Sequence, residues 1–166
     1  MSNESAVSEE FAEGLSTGRD QFLTFTLKDE EYGIDILRVQ EIKGFSKIHA
    51  VPHSPSYIKG LMNLRGTVVP IVDLRTRFGM EAVEYNQFTV IIVVSLGTKL
   101  VGLIVDAVSD VLDVPHGQVE EAPDLGSAID NEYFSGMTKV GEKLVFLLDI
   151  DTLVDGEKLE EVQAAA

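Results

Sequence analysis

The feature that most constrains the fold is an internal repeat. Residues Gly33–Ile42 align with Gly102–Val111 at a constant offset of 69, and the apolar residues at 34, 36, 39 and 42 each meet an apolar residue. Further along, Val69–Leu74 aligns with Val145–Ile150 at an offset of 76. The additional residues fall in a loop of the second copy, where changes in length are tolerated. The chain therefore consists of two copies of one unit in tandem.

Within each copy, the apolar residues predict short β-strands. Phe22, Phe25 and Leu27 follow a largely alternating pattern, which is typical of a strand with one buried face. Thr89–Leu96 and Leu100–Val105 are two more strand-length runs around a turn that contains glycine. A unit of about 60 residues is marginal alone because it buries too little of its surface. We therefore expect a mainly β protein in which two barrel-like lobes pack side by side and hide strand edges.

The ends of the chain and one proline add detail to this fold. Residues 1–19 are polar and predict a flexible N-terminal tail, while the sequence from about Asp155 predicts a C-terminal helix. Pro70 interrupts a β-branched apolar run. Since proline cannot donate a ladder hydrogen bond, we expect it on an edge strand or at a bulge.

The composition excludes several classes of function. The chain has no cysteine, which rules out disulfides and thiolate catalysis and suits a reducing cytoplasm. Its net charge is −15, and the part after residue 77 holds seventeen acidic residues and four lysines. Such a charge repels nucleic-acid phosphates and anionic lipid. No apolar run is long enough to span a bilayer.

The candidate catalytic residues permit one enzymatic alternative. His49 and His53 are four residues apart, but nearby prolines prevent a helix that would present both to a metal. Asp73 and Asp149 are repeat-mates, and as a pair they would permit an acid-pair hydrolase. Neither lies in the Asp-Thr-Gly turn of such enzymes, and an aspartate after a strand is typical of a helix N-cap. We therefore predict no catalytic residue, no metal and no cofactor.

One segment points to the recognition of a partner. Residues Ile36–Ile42 hold more apolar side chains than one inward face of a strand accommodates, and Val108 and Val111 are their repeat-mates. Exposed apolar residues with charges beside them are typical of binding surfaces. Either some of these residues line a groove where the lobes meet, or all of them pack in the core. The pattern alone does not decide between the two.

Several segments resemble the CheW family of bacterial chemotaxis coupling proteins. Phe22–Leu27 followed by Glu30–Ile42 is similar to the opening of the family, Ile58–Arg75 to its most specific signature, and Gly102–Leu112 to its second-lobe segment. The resemblance covers nearly the whole folded chain, in the order of the family. It implies two tandem, intertwined five-stranded SH3-like β-barrels with short helices and a C-terminal helix.

The resemblance also implies how the chain is divided. A flexible tail at 1–19 would precede a CheW-like domain at 20–154, and a helix or tail at 155–166 would follow it. The two lobes would lie at approximately 20–85 and 86–154, and strands can exchange between them.

By this resemblance the protein is an adaptor without catalysis or cofactor. It would link the cytoplasmic tip of methyl-accepting chemoreceptors to the regulatory domain of the histidine kinase CheA, which has the same fold and would contact barrel ends of both lobes. It would be cytoplasmic, in receptor arrays at the inner face of the membrane, and association with itself in rings stays open. The alternative is the coupling module of a CheV-like protein, in which it is joined to a receiver, or of another CheW-type signalling pathway.

The resemblance assigns a receptor site residue by residue. Arg65 would pair with a carboxylate of the receptor, Glu41 would meet a cation, and Gly102 would allow close approach of the backbone. Gly60 and Gly136 would shape turns. The receptor tip would lie in a groove between the lobes that is lined by Val39, Glu41, Ile42, Arg65, Val90, Gly102, Val108 and Val111.

Overall fold

A computed structural model describes residues 19–121 and 131–154, together with residues 159, 162 and 163. In these residues ten strands form two five-stranded sheets. Two four-residue helices, α1 (Leu74–Arg77) and α2 (Ile150–Leu153), each follow a strand directly. The strands are β1 (Arg19–Leu27), β2 (Glu30–Asp35), β3 (Val39–Gly44), β4 (Ile58–Leu64), β5 (Thr67–Asp73), β6 (Val90–Leu96), β7 (Lys99–Val105), β8 (Ala107–Pro115), β9 (Phe134–Val140) and β10 (Lys143–Leu148).

The two sheets are related by the sequence repeat. The first sheet has the order β8-β1-β2-β10-β9 and the second has the order β3-β6-β7-β5-β4. Replacing every strand of the first sheet by its repeat-mate, five strands away in the chain, gives the second sheet. Each sheet therefore takes two strands from one copy and three from the other. The two copies are intertwined, and the sheets do not divide at the sequence boundary near residue 85.

The hydrophobic core explains why the central strands are apolar throughout. On β6, Ile92 and Val94 belong to a large core cluster that also holds Leu23 of the first sheet. Their neighbours Ile91 and Val93 belong to a smaller cluster inside the second barrel. Both faces of β6 are thus buried, and a strand buried on both faces reads as a continuous apolar run. The larger cluster, which both sheets share, is called the main core below.

The position of Pro70 and the two ends of the chain can be compared with the expectations from the sequence. Of the two positions expected for Pro70, the edge strand is wrong, because β5 lies between β7 and β4. The register shift of the β4–β5 pair lies next to Pro70, on β4 between Ile58 and Gly60, opposite Val72 and Ile71. Pro70 directly precedes Ile71–Asp73, the stretch that pairs with β7, and its missing N–H leaves that pairing intact. The predicted tail lies outside the described residues except for Arg19, where β1 begins. In the predicted C-terminal helix, the described residues 159, 162 and 163 are helical.

Within the described residues, no helix has the length and apolar character needed to cross a membrane.

Candidate functional site

The edge strands β3 and β8 carry five of the predicted binding residues, of which four are apolar. Val39 and Ile42 lie on β3, at one edge of the second sheet, and Val108 and Val111 lie on β8, at one edge of the first. The two pairs are repeat-mates, so they occupy equivalent places in the two sheets.

A β-bulge turns both members of the first pair toward the same face of the sheet. The register of β3 against β6 shifts between Val39 and Glu41, so that Val39 lies opposite Val94 and Ile42 lies opposite Ile92. Without the extra residue, side chains three positions apart would point to opposite faces. Directly opposed residues share a face, and both partners belong to the main core. Val39 and Ile42 therefore face the junction between the sheets.

The second pair is arranged in the same way. The register of β8 against β1 also shifts, and it places Val108 opposite Phe25 and Val111 opposite Leu23. Both partners again belong to the main core. The two edge strands thus direct equivalent valine and isoleucine side chains toward the junction of the lobes.

In each pair, one side chain is exposed and the other is half-buried. Ile42 is 43% exposed and Val111 is 47% exposed. In contrast, Val39, Val90 and Val108 are half-buried and pack against the main core. Ile42 and Val111 are therefore accessible, as expected for residues that line a groove. Val39, Val90 and Val108 pack against the core, as the other alternative expects.

The two charged residues of the predicted site bind each other. Arg65 donates from Nη2 to Glu41 Oε2 at 2.7 Å and from Nη1 to Glu41 Oε1 at 3.3 Å. This hydrogen bonding, with the charge of Arg65, lowers the pKa of Glu41. Glu41 lies opposite Val93 and so points to the other face of β3 from Ile42. The side chain of Arg65 is 73% exposed and remains accessible to a partner.

The turn between β4 and β5 fixes the direction in which Arg65 leaves the backbone. Arg65 has φ of 50° and Gly66 has φ of 88°. Two successive residues with positive φ are typical of the tight hairpin turn that matches the twist of the strands. The side chain of Asn63 accepts a hydrogen bond from the Gly66 amide at 2.8 Å and closes the turn.

Gly102 does not lie on a surface. It is buried on β7, and a Cβ there would lie 2.6 Å from Ile71 Cδ1 and 2.9 Å from Ile91 Cγ2. The prediction that a partner approaches this backbone is therefore wrong, because the space in front of Gly102 is filled by the core of the second barrel. Glycine is required here for packing.

Gly60 and Gly136 lie inside strands β4 and β9, so the prediction that they form turns is wrong. A Cβ at Gly60 would lie 2.1 Å from the backbone oxygen of His49, and one at Gly136 would lie 2.8 Å from that of Glu120. These contacts belong to two isolated bridges, His49 with Leu61 and Glu120 with Met137. Each bridge joins an edge strand, β4 or β9, to the segment that carries His49 or Glu120. The glycines permit the chain to close each barrel.

The paired aspartates are helix caps, as predicted. Asp73 accepts from the amides of Arg75 and Thr76 at the start of α1, and Asp149 accepts from the amide of Thr152 at the start of α2. The two carboxylates lie at the ends of strands in different sheets. Over the described part of the chain, no cluster of three or more His, Asp or Glu is placed to hold a metal ion.

One exposed apolar residue beside the site was not assigned from the sequence. Leu37 is 59% exposed in the short 3-10 turn Ile36–Arg38 that leads into β3. Arg38 holds this turn in place, because its side chain donates to the oxygen of Ser95 and to the carboxylate of Asp151. The excess of apolar residues in this segment was the available signal, but it did not show which of them leaves the strand pattern.

Comparison with known proteins agrees with this architecture. The family model of the CheW-like domain matches residues 21–158. The chain is 44% identical to the chemotaxis protein CheW of Klebsiella aerogenes over 153 residues, 92% of each protein. It is 36% identical to that of Rhizobium meliloti, over 90% of this chain and 96% of the relative. The crystal structure of scaffolding protein TtCheW from Thermoanaerobacter tengcongensis matches with a TM-score of 0.77 and 31% identity, covering 84% of this chain and 90% of that one.

Two five-stranded sheets in a mainly β chain agree with the fold implied by that structural match. The matches extend over most of the chain and include relatives named for chemotaxis and for scaffolding. The chain therefore belongs to the CheW family and is a chemotaxis coupling adaptor.

Proposed function

We propose that this adaptor joins the cytoplasmic tip of methyl-accepting chemoreceptors to the regulatory domain of the histidine kinase CheA, without catalysis of its own. The observation that carries the receptor site is the pair of exposed repeat-mates Ile42 and Val111, which stand on the edge strands of the two sheets and face their junction. The family supplies the identity of the partners.

The receptor site suits an amphipathic helix. Helix-in-groove recognition requires a few apolar anchors with charges beside them that set the register. Ile42 and Val111 supply the anchors, Leu37 extends the apolar surface, and the exposed guanidinium of Arg65 supplies a bidentate donor for a carboxylate. Val39, Val90 and Val108 act from beneath, as packing that holds the anchors in place.

The Glu41–Arg65 pair gives the proposed receptor site one negative and one positive group. When a receptor carboxylate takes part of the Arg65 fork, Glu41 is freed to accept from a receptor cation. Surface pairs of this kind contribute little free energy, and Arg65 is already largely solvated, so an exchange of its partner costs little. The receptor would then recognise which of the two positions is positive and which is negative, and the strength of the pair itself would matter little.

The kinase regulatory domain would dock at the ends of the barrels. A regulatory domain of the same fold would present equivalent barrel ends, so that docking would bury strand turns of one molecule against those of the other. This arrangement leaves the lobe junction open for the receptor, and it would hold the protein at receptor arrays on the inner face of the cytoplasmic membrane. The same surfaces would serve any self-association in rings.

A binding experiment with charge variants tests the proposal. Titration calorimetry would measure the affinity of the full chain for a purified receptor-tip fragment and, separately, for the kinase regulatory domain. We expect Arg65→Glu to weaken receptor binding about tenfold or more, to leave kinase binding unchanged, and to retain the native circular dichroism spectrum. Lys139→Glu makes the same charge change on β9 and serves as the control.

The double variant Glu41→Arg/Arg65→Glu separates binding from stability. It restores an ion pair within the chain but reverses the charge order that a receptor would meet. We expect it to bind the receptor tip as weakly as Arg65→Glu. Full recovery of receptor binding would show that the pair matters only within the protein, and failure of the unmodified chain to bind either partner would overturn the proposed function.

A further inference from the structure

Two cavities occupy equivalent positions in the two lobes. One has a volume of about 240 Å³ and is lined by residues that include Asp73, Thr89 and Ile104. The other has a volume of about 470 Å³ and is lined by the repeat-mates of those residues, Asp149, Asp20 and Asp35. The larger one is called the Asp149 groove below. Because the fold is duplicated, the contents of the first cavity indicate what the second one accommodates.

The first cavity is covered by the protein's own chain. Val83, Glu84, Tyr85 and Asn86, in the connection between α1 and β6, form part of its wall. The Tyr85 hydroxyl donates to Asp73 Oδ2 at 2.7 Å, and Asp73 is only 4% exposed. Burial, with the Asp73 carboxylate beside it, raises the pKa of Tyr85, so this hydroxyl stays protonated and remains a donor.

The Asp149 groove has no such cover among the described residues. The Asp149 carboxylate accepts from the amide and the hydroxyl of Thr152, and it is half-exposed where Asp73 is buried. Phe22, Leu147 and Ile150 contribute an apolar floor. The groove thus offers a carboxylate above apolar surface, in the geometry that Tyr85 satisfies in the other lobe.

When the covering connection with its Glu84 is left out, the Asp149 groove has three acidic residues in its lining and its counterpart has two, Asp73 and Asp106. Asp20 and Asp35 stand where the covered cavity has Thr89 and Ile104. Arg38 also lines the groove, but its guanidinium is paired with Asp151. Among the described residues, the Asp20 carboxylate contacts the imidazole of His116 at 3.0 Å. Charge complementarity therefore favours a basic occupant.

We infer that the Asp149 groove is a docking site for an extended, net basic segment of a partner protein that donates a tyrosine hydroxyl to Asp149. The segment would place an apolar side chain on the floor formed by Phe22 and Leu147. Its basic residues would face Asp20 and Asp35. None of the eight predicted receptor-site residues lines this groove, and the inference does not depend on the proposed coupling function.

A designed peptide is the direct probe. The peptide Met-Lys-Ala-Val-Lys-Tyr-Asn-Gln-Phe-Thr copies residues 80–89 with lysine in place of both glutamates, and a second peptide carries phenylalanine instead of tyrosine. Each would be titrated into the ¹⁵N-labelled full chain. We expect saturable NMR shifts at Phe22, Leu148 and Asp149, with a dissociation constant below about 1 mM and about fivefold weaker binding of the phenylalanine peptide.

Two protein variants test the site itself. Asp20→Lys reverses one rim charge, and we expect it to weaken peptide binding about tenfold. Glu142→Lys makes the same change in net charge at the β9–β10 turn and should leave binding unchanged. Absence of saturable shifts at the groove, equal binding of the two peptides, or shifts confined to the Asp73 cavity would each overturn the inference. Deletion of residues 1–18 is a further test, without peptide. If the NMR signals of the groove residues shift in the shortened chain, the chain's own N-terminus is the occupant, and the inference is overturned.

Discussion

Gly60 combines two constraints that no other residue type meets. Its φ is 145°, and a Cβ would lie 2.1 Å from the backbone oxygen of His49. The backbone of a neighbouring segment cannot move aside as a flexible side chain would. We expect Gly60→Ala to lower the free energy of unfolding by about 3 kcal/mol or more, because backbone strain and steric overlap add. Urea denaturation followed by circular dichroism would measure the change.

Two other glycines provide the comparison for this prediction. Gly136 has the equivalent place in the other lobe, with a less severe contact of 2.8 Å, so Gly136→Ala should cost less than Gly60→Ala. Gly44 has nothing within 4 Å of its Cβ position, so Gly44→Ala should change stability by no more than about 0.5 kcal/mol. Equal losses in all three variants would contradict the steric explanation.

Asp106 links the stability of the protein to pH. Burial raises its pKa, but hydrogen bonds from Arg75 and from the Lys28 amide outweigh burial, and the net pKa is lowered. Arg75 Nε donates to Asp106 Oδ1 at 2.7 Å. A carboxylate with a lowered folded pKa stabilises the fold above its unfolded pKa of about 4, and this contribution is lost as pH falls through the folded value.

Arg75→Met removes this contribution. At neutral pH we expect the free energy of unfolding to fall by about 1–2 kcal/mol, since a partly buried carboxylate loses a charged donor. The two proteins should converge at low pH, where Asp106 is protonated in both, so the variant would show a shallower acid limb in denaturation between about pH 5 and pH 2. Lys139→Met, which removes an exposed cation on β9, is the control, and a parallel pair of acid limbs for Arg75→Met and the parent protein would contradict the assignment.

At the scale of elements, the two short helices meet around one arginine. Arg77 at the end of α1 donates from Nε to the oxygen of Leu153, its own repeat-mate, at 2.7 Å. Its guanidinium lies 4.6 Å from the ring centroid of Tyr57 and 4.9 Å from that of Tyr133, which are also repeat-mates. Arg77 therefore sits near the axis that relates the two copies and holds equivalent elements of both.

Replacing Arg77 tests how strongly these elements depend on it. Arg77→Met keeps much of the aliphatic packing but removes the cation–π contacts and the hydrogen bond, and we expect a loss of about 2 kcal/mol in unfolding free energy. Arg77→Lys keeps the charge without the planar fork, so its free energy of unfolding should lie between that of the parent protein and that of Arg77→Met. A thermal melt in which both variants match the parent protein would show that the contacts contribute nothing.

The elements themselves were largely predictable from the sequence. The offsets of 69 and 76 relate β1 to β6 and β5 to β10, and they pair the capping residues Asp73 and Asp149. These features are local, because strand periodicity and an aspartate before a helix depend on neighbouring residues. The position of Pro70 was not predictable, since its strand is an inner one and a one-dimensional pattern does not name the neighbours of a strand.

The binding site was predictable only in part, for a related reason. The apolar excess around Ile42 indicated a surface, but the bulge that turns Ile42 and Val39 to one face arises from pairing with β6. Likewise, the contact between Arg65 and Glu41 joins residues that are 24 positions apart. Gly102 was assigned to a partner although its neighbours Ile71 and Ile91 fill the space. Long-range contacts decide such roles.

At the scale of the whole molecule, duplication and exchange of strands make the two lobes interdependent. β1 and β2 have β8 and β10 as sheet neighbours, and β5 lies beside β7. Residues of both sheets also share the main core. A single copy would expose the edges of these strands and about half of that core, which a unit of about 60 residues cannot offset.

Cutting the chain between the copies tests this interdependence. The connection at residues 81–88 is exposed throughout, so fragments 1–81 and 82–166 would each carry one complete copy. We expect neither fragment alone to show a cooperative unfolding transition, since each lacks sheet partners that only the other supplies. An equimolar mixture should recover the circular dichroism spectrum of the intact chain and a cooperative transition that depends on concentration, because folding is then coupled to association. Cooperative unfolding of fragment 1–81 by itself would mean that one copy closes its own barrel, and the exchange of strands between copies would not be what stabilises this fold.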